Sequence, residues 1–303
     1  MPIFQGSAVA LVTPFYKKDK GVDYEKLEEL IQFQCKNKTD AIVICGTTGE
    51  APTLTKEEHI LCIRRAVEFT KGRVPVIAGA GSNCTRTAVE TSKEAKRCGA
   101  DALLIVTPYY NKPTQRGLID HFTFIAQNVD LPILLYNVGS RTGCNMKPET
   151  AATLILNVDN IVGIKEASGN ISQSAKIMNL TDGKAEIYSG NDDQILPVLS
   201  IGGKGVVSVL ANILPEKTHR ICEEFFKGKI KESRKILLEL YPLIETLFSE
   251  TNPIPIKEAM DLIGMEAGPL RMPLGKMGEE NRIRLKEELK KQGLLSLYKK
   301  EKL

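Results

Sequence analysis

One alternation governs what this 303-residue chain can fold into. Short apolar runs, rich in β-branched residues, are each followed by turn chemistry and then by an amphipathic helix pattern. The runs fall at 8–12, 41–45, 74–78, 102–106, 133–136, 161–164, 186–188 and 205–208. They are almost continuously hydrophobic, as parallel strands covered on both faces must be. Helix starts lie between them. Asp23 precedes 24–37, Thr55-Lys56-Glu57-Glu58 reads as a capping box, and Pro148 and Pro215 stand where a missing N–H costs nothing. Eight such units make an α/β fold of the TIM-barrel kind, (β/α)8, with a doubly wound open sheet as the alternative. Beyond residue 228 the strand runs stop. Segments 230–248, 255–263 and 279–291 read as helices separated by turns such as Asn252-Pro253-Ile254-Pro255. The expected organisation is a barrel at 1–228 with a C-terminal helical appendage at 229–303.

Composition narrows the function classes. A net charge of +4 is spread along the chain, and its densest basic run, Lys299-Lys300 with Lys302, reads as a solvated tail rather than a nucleic-acid grip. No apolar stretch approaches the roughly 20 residues of a membrane helix. Met1-Pro2-Ile3-Phe4-Gln5-Gly6 lacks the basic and apolar regions of a signal peptide. Seven cysteines without a C-x-x-C pair fit small buried hydrophobes in a reducing compartment, so a cytoplasmic protein is expected. His59, His121 and His219 are far apart in helix patterns, and no Cys/His cluster accompanies them, so no metal site is expected. Gly79-Ala80-Gly81 lacks the third glycine of a dinucleotide fingerprint, and Gly202-Gly203-Lys204-Gly205 precedes a strand rather than a helix. No cofactor is expected.

In a barrel the chemistry collects on the loops after the strands. Here those loops carry Gly46-Thr47-Thr48-Gly49-Glu50, Thr107-Pro108-Tyr109-Tyr110-Asn111, Tyr136-Asn137-Val138-Gly139-Ser140-Arg141-Thr142-Gly143, Lys165-Glu166-Ala167-Ser168-Gly169 and Ser189-Gly190-Asn191-Asp192-Asp193. Lys165 is the sharpest signal, because it ends a buried strand. Desolvation disfavours a lysine's ammonium form, and a neutral amine can attack a ketone to form an imine. The other reading is a lysine paired with a carboxylate such as Glu166, or one reaching solvent. Tyr136 could shuttle protons or be a rim tyrosine. Thr47-Thr48 could cradle a carboxylate or simply form a turn. Arg141 could hold a carboxylate bidentately or make a surface ion pair. Cys144, beside Arg141, reads as an unreactive loop thiol.

Taken together and in order, these motifs, with Gly163-Ile164-Lys165-Glu166-Ala167, Gly205-Val206-Val207-Ser208 and Asn252-Pro253-Ile254-Pro255, resemble the dihydrodipicolinate synthase family of the pyruvate-dependent class I aldolases. The resemblance runs from Gly6 to about residue 294. It implies 4-hydroxy-tetrahydrodipicolinate synthase activity: a lyase condensing pyruvate with L-aspartate-4-semialdehyde in diaminopimelate and lysine synthesis. It implies roles as well. Lys165 forms the imine, Tyr136 donates and accepts protons, and Thr47 and Tyr110 complete the relay, with Tyr110 reaching the neighbouring subunit's site. Thr48 and Val207 hold pyruvate, with Gly190 in the same substrate-binding set, and Arg141 holds the carboxylate of the second substrate. A homotetramer of tight dimers follows from the same likeness.

The chain also departs from the family. Gly139 stands where a proline is usual, which loosens the loop carrying Arg141. In the lysine feedback pocket Ala51, Lys56 and Thr87 replace a serine, a histidine and a glutamate, while Asn83, Tyr109 and His59 match. A cation gained and an acid lost should weaken binding of a lysine ammonium. A sibling N-acetylneuraminate lyase or keto-sugar-acid aldolase shares the imine lysine but generally lacks Ser140-Arg141-Thr142-Gly143 and the tyrosine pair. A non-catalytic barrel is the reading from a different class, and it requires an inert Lys165.

Overall fold

The computed structural model describes residues 2–296. The basic run at 299–302 lies outside the described residues. In chain order the strands and α-helices are β1 Gly6–Ala10, α1 Tyr24–Lys36, β2 Ala41–Ile44, α2 Lys56–Thr70, β3 Val76–Gly79, α3 Thr85–Arg97, β4 Ala102–Val106, α4 Gln115–Asn128, β5 Ile133–Asn137, α5 Gly139–Thr142, α6 Pro148–Asn157, β6 Ile161–Glu166, α7 Ile171–Leu180, β7 Glu186–Ser189, α8 Ile195–Ser200 and β8 Gly205–Ser208, followed by α9 Pro215–Phe226, α10 Ile230–Leu247, α11 Ile254–Ile263 and α12 Glu279–Lys291. Each strand pairs in parallel with its sequence neighbours, and β8 returns to β1, so the sheet closes into a barrel. The open doubly wound sheet is thereby excluded.

Because successive strand residues face opposite sides, the continuous apolar runs divide into two cores. Ala8, Val43, Ile77, Leu104, Leu134, Tyr136 and Val207 fill the barrel interior. Val9, Ile42, Ile44, Leu103, Leu135 and Ile164 join the larger layer between sheet and helices. Phe4 stacks on Tyr188 inside the barrel, with ring centroids 4.2 Å apart, and its carbonyl accepts the Tyr188 hydroxyl at 2.6 Å. Several boundaries differ from the expectation; the first strand is Gly6–Ala10 rather than 8–12, pairing with β8 from Gly6 onward. The third strand starts at Val76 rather than at Val74, since Pro75 has no N–H to give the ladder; its carbonyl still accepts from Ile42.

The helix signals work as their chemistry requires. Asp23 accepts from Lys26 N, and Thr55 and Glu58 cap each other's backbone N–H groups reciprocally. Among the described residues no helix is long and apolar enough to cross a membrane. All seven cysteines are free thiols. Cys45, Cys62, Cys144 and Cys222 are buried and Cys35 and Cys98 only half-buried, less than the expectation for them, whereas Cys84 is exposed at the start of α3.

The C-terminal helices are tied into the barrel rim. Lys257 on α11 pairs with Glu50 at 2.6 Å, and both side chains are withdrawn from solvent. Lys257 Nζ also donates to the Pro269 carbonyl and lies over the Phe15 ring. Arg271 crosses the other face of this joint. It donates through its backbone N–H to Glu50 and through its guanidinium to both oxygens of Glu58. Burial pulls the Lys257 ammonium below the usual lysine range, although Glu50 opposes that shift.

Candidate active site

β5 and β6 bring the first pair of groups together. Their register sets Tyr136 opposite Lys165 and Asn137 opposite Glu166. Lys165 therefore faces the barrel interior with Tyr136, while Glu166 and Asn137 face the helical layer. Lys165 is only 6% exposed, and its Nζ lies 4.2 Å from the centroid of the Tyr136 ring. Among the described residues no carboxylate forms an ion pair with it. The pairing with Glu166 that the sequence left open does not occur. That carboxylate instead accepts from Ser168 N at 2.7 Å, Gln173 Nε2 at 3.0 Å and Asn137 Nδ2 at 3.1 Å. Gly190, after β7, leaves room for the lysine stem: a methyl there would lie 3.1 Å from Lys165 Cε and 2.5 Å from Ala167 Cβ.

A cavity of about 610 Å³ opens on this rim. Thr47, Tyr136, Val138, Arg141 and Thr142 line it, as do Ala51, His59, Thr87 and Tyr109, with the exposed Lys56 and Glu90 on its outer, solvent side; Lys165 is not on the wall but lies beside Tyr136. Thr48 and Val207 are buried. The Thr48 hydroxyl accepts from Asn252 Nδ2 at 2.9 Å, which fixes it against the C-terminal region. Arg141 lies on the single turn of α5, closed by Gly143 N–H to the Gly139 carbonyl at 2.9 Å. One arm of its guanidinium donates to the Asn252 carbonyl at 2.9 Å, so Asn252 holds both Thr48 and Arg141. Asn252 Oδ1 is buried without a protein partner. Asn252 opens the Asn252-Pro253-Ile254-Pro255 segment, whose sequence assigns it no role. Nothing local betrays it, since its partners lie 204 and 111 residues away.

Tyr110 is the one expected relay residue that the fold does not bring to the cavity of its own chain. It is 89% exposed, with a left-handed backbone at φ 70°, while Tyr109 takes the place on the cavity wall. In the outer part Lys56 pairs with Glu90 at 3.5 Å, an acidic neighbour that the sequence reading overlooked. His59 donates through Nε2–H to the Gly79 carbonyl at 2.8 Å, and burial lowers its pKa. The neutral Nε2–H tautomer satisfies that carbonyl. Burial raises the pKa of Cys144, which favours the unreactive thiol.

The Dihydrodipicolinate synthetase family profile matches residues 3–292. The 4-hydroxy-tetrahydrodipicolinate synthase of Lachnoclostridium phytofermentans is 60% identical over 295 residues, covering 97% of this chain and all of the relative. A solved dihydrodipicolinate synthase from Aquifex aeolicus is 46% identical and superposes with a TM-score of 0.93 over 96% of this chain and 99% of that one. The chloride-inhibited enzyme from Acinetobacter baumannii, solved in complex with pyruvate, is 42% identical with a TM-score of 0.93 over 96% and 99% of the two chains. The chain belongs to the dihydrodipicolinate synthetase family.

Proposed function

We propose that this family member condenses pyruvate with L-aspartate-4-semialdehyde through an imine on Lys165. The family membership makes the chain a lyase-type synthase of the class I aldolase kind, with 4-hydroxy-tetrahydrodipicolinate as product, in diaminopimelate and lysine synthesis. The observation that carries the residue assignment is the Lys165–Tyr136 pair: a buried amine, without a carboxylate partner among the described residues, beside a phenol on the cavity wall. The Lys165 amine attacks the pyruvate ketone to give a carbinolamine. Loss of water gives the imine, and loss of a methyl proton gives the enamine. The enamine carbon then attacks the aldehyde carbon of the second substrate. Ring closure by the substrate's own amine displaces Lys165 and frees the product. Tyr136 and Thr47 move the protons, while Thr48, Val207 and Gly190 shape the pyruvate end. Arg141 keeps guanidinium donors besides the one given to Asn252, and these bind the semialdehyde carboxylate.

Tyr110, exposed on its own chain, completes the relay in a neighbouring subunit, within a homotetramer of tight dimers. The enzyme works in the cytoplasm. A coupled assay with pyruvate and either aspartate semialdehyde or a sugar aldehyde tests the substrate assignment; turnover with the sugar aldehyde alone would overturn it. The outer cavity resists feedback by lysine. Lys56 already presents an ammonium to Glu90, so a bound lysine would have to displace it. A micromolar inhibition constant for lysine would refute this.

A further inference from the structure

Behind the Lys165–Tyr136 pair lies a closed array of amides around one buried carboxylate. Glu166 accepts from Asn137 Nδ2, Gln173 Nε2 and Ser168 N. Asn145 and Gln173 exchange hydrogen bonds reciprocally, Nδ2 to Oε1 at 3.0 Å and Nε2 to Oδ1 at 3.2 Å. Asn137 Nδ2 also donates to Asn145 Oδ1 at 2.9 Å, and its Oδ1 accepts from Met146 N at 2.9 Å. Among the described residues no lysine or arginine forms an ion pair with Glu166. A side chain amide can face either way, but a carboxylate offers only acceptors, so Glu166 sets the direction of every amide in the array.

We propose that Glu166 and its cross-strand partner Asn137 are positioning residues that lock three reactive groups to one another. Glu166 fixes the end of β6 next to Lys165, and Asn137 fixes the end of β5 next to Tyr136. Through Met146 and Asn145, Asn137 also fixes the segment that follows Arg141. One acceptor thus sets the spacing of imine lysine, proton shuttle and carboxylate clamp. The proposal rests on Lys165 being the imine lysine.

Glu166→Gln turns an amide N–H toward the N–H groups of Gln173 and Asn137. Inverting the Asn145–Gln173 pair relieves the first conflict and creates another at Asn137. Turning Asn137 over then strands the N–H of Met146, which is fully buried. Asn137→Asp fails for the opposite reason, because it sets two carboxylates 3.1–3.4 Å apart. The double variant Glu166→Gln with Asn137→Asp moves the lone carboxylate across the strand pair. Once the Asn145–Gln173 pair inverts, every donor again meets an acceptor and Met146 keeps its bond.

The test is the rate of imine formation with pyruvate, read by borohydride trapping on Lys165 and normalised to folded protein by circular dichroism. The KM for aspartate semialdehyde is measured alongside. A misplacement of reacting groups of about 1 Å costs on the order of 100-fold, so each single variant should lose that much in trapping rate and raise the KM. The double variant should return to within about tenfold of wild type. If Glu166→Gln does not fold, the gain from Asn137→Asp to the double variant carries the same test. A double variant no faster than Asn137→Asp, or a Glu166→Gln variant that traps pyruvate at the wild-type rate, overturns the proposal. Wild-type protein that forms no adduct removes the reading beneath it instead.

Discussion

Replacing Lys257 by methionine should destabilise the protein severely and loosen the loop that carries Thr47 and Thr48. At 2.6 Å, and with an effective dielectric constant near 20, the attraction between Lys257 and Glu50 is about 6 kcal/mol. Burying two charges costs several kcal/mol each, so the intact pair adds little net stability. The asymmetry appears when one partner is removed. Glu50 would keep its bond from Arg271 N but stay buried without its counter-ion, a situation that typically costs about 3–5 kcal/mol. Loss of the contact with Phe15 and of the bond to Pro269 adds to this. The double variant Glu50→Gln with Lys257→Met removes the stranded charge and should recover most of the loss. Equilibrium unfolding in urea at fixed protein concentration measures both, because oligomer stability varies with concentration. A loss below about 1 kcal/mol for Lys257→Met, or a double variant no more stable than the single one, would refute the reasoning. The folded fraction should also turn over slowly, because the Glu50 N–H closes the turn begun at the Thr47 carbonyl, at 3.1 Å.

Other expectations follow from the same geometry. Gly190→Ala should slow imine formation by about 100-fold and cost about 1–3 kcal/mol of stability, since the added methyl meets the Lys165 stem and crowds Ala167 Cβ at 2.5 Å; pre-steady-state trapping and urea unfolding check this. Arg141→Lys removes the fork that serves Asn252 and a carboxylate together. Steady-state kinetics should show a KM for aspartate semialdehyde raised at least about tenfold, with the pyruvate KM almost unchanged. The bond to Asp40 raises the pKa of His219 against the opposing effect of burial. Its added stability is therefore present below the unfolded histidine pKa of about 6.5 and is lost as pH rises through the higher folded value. Urea titrations should find His219→Gln more damaging at pH 5.5 than at pH 8.5.

Much of this was legible from order alone. Eight apolar runs with turn chemistry between them specify strands buried on both faces, which a barrel and an open doubly wound sheet share; the pairing of β8 with β1 in the folded chain decides for the barrel. Lys165, Tyr136, Thr47 and Arg141 were readable because each follows directly on a strand run or its loop. The residues that hold them were not. Asn252 reaches Thr48 across 204 positions, and the Glu166 network joins segments up to 29 residues apart. Amide and carboxylate side chains in such networks carry no periodicity, and only the folded chain shows that they face one another. Tyr110 illustrates the opposite limit. The motif names it, but on its own chain it faces solvent, and the role proposed for it lies in a neighbouring subunit. Glu90 carries no local signal either, because its pairing with Lys56 spans two helices.

The most direct test of the central claim is chemical. Incubation with pyruvate, reduction with borohydride and peptide mass mapping should place a single reduced pyruvate adduct on the peptide containing Lys165, and Lys165→Arg should abolish it while the protein stays folded. An unmodified Lys165, or an adduct on another lysine, would contradict the account.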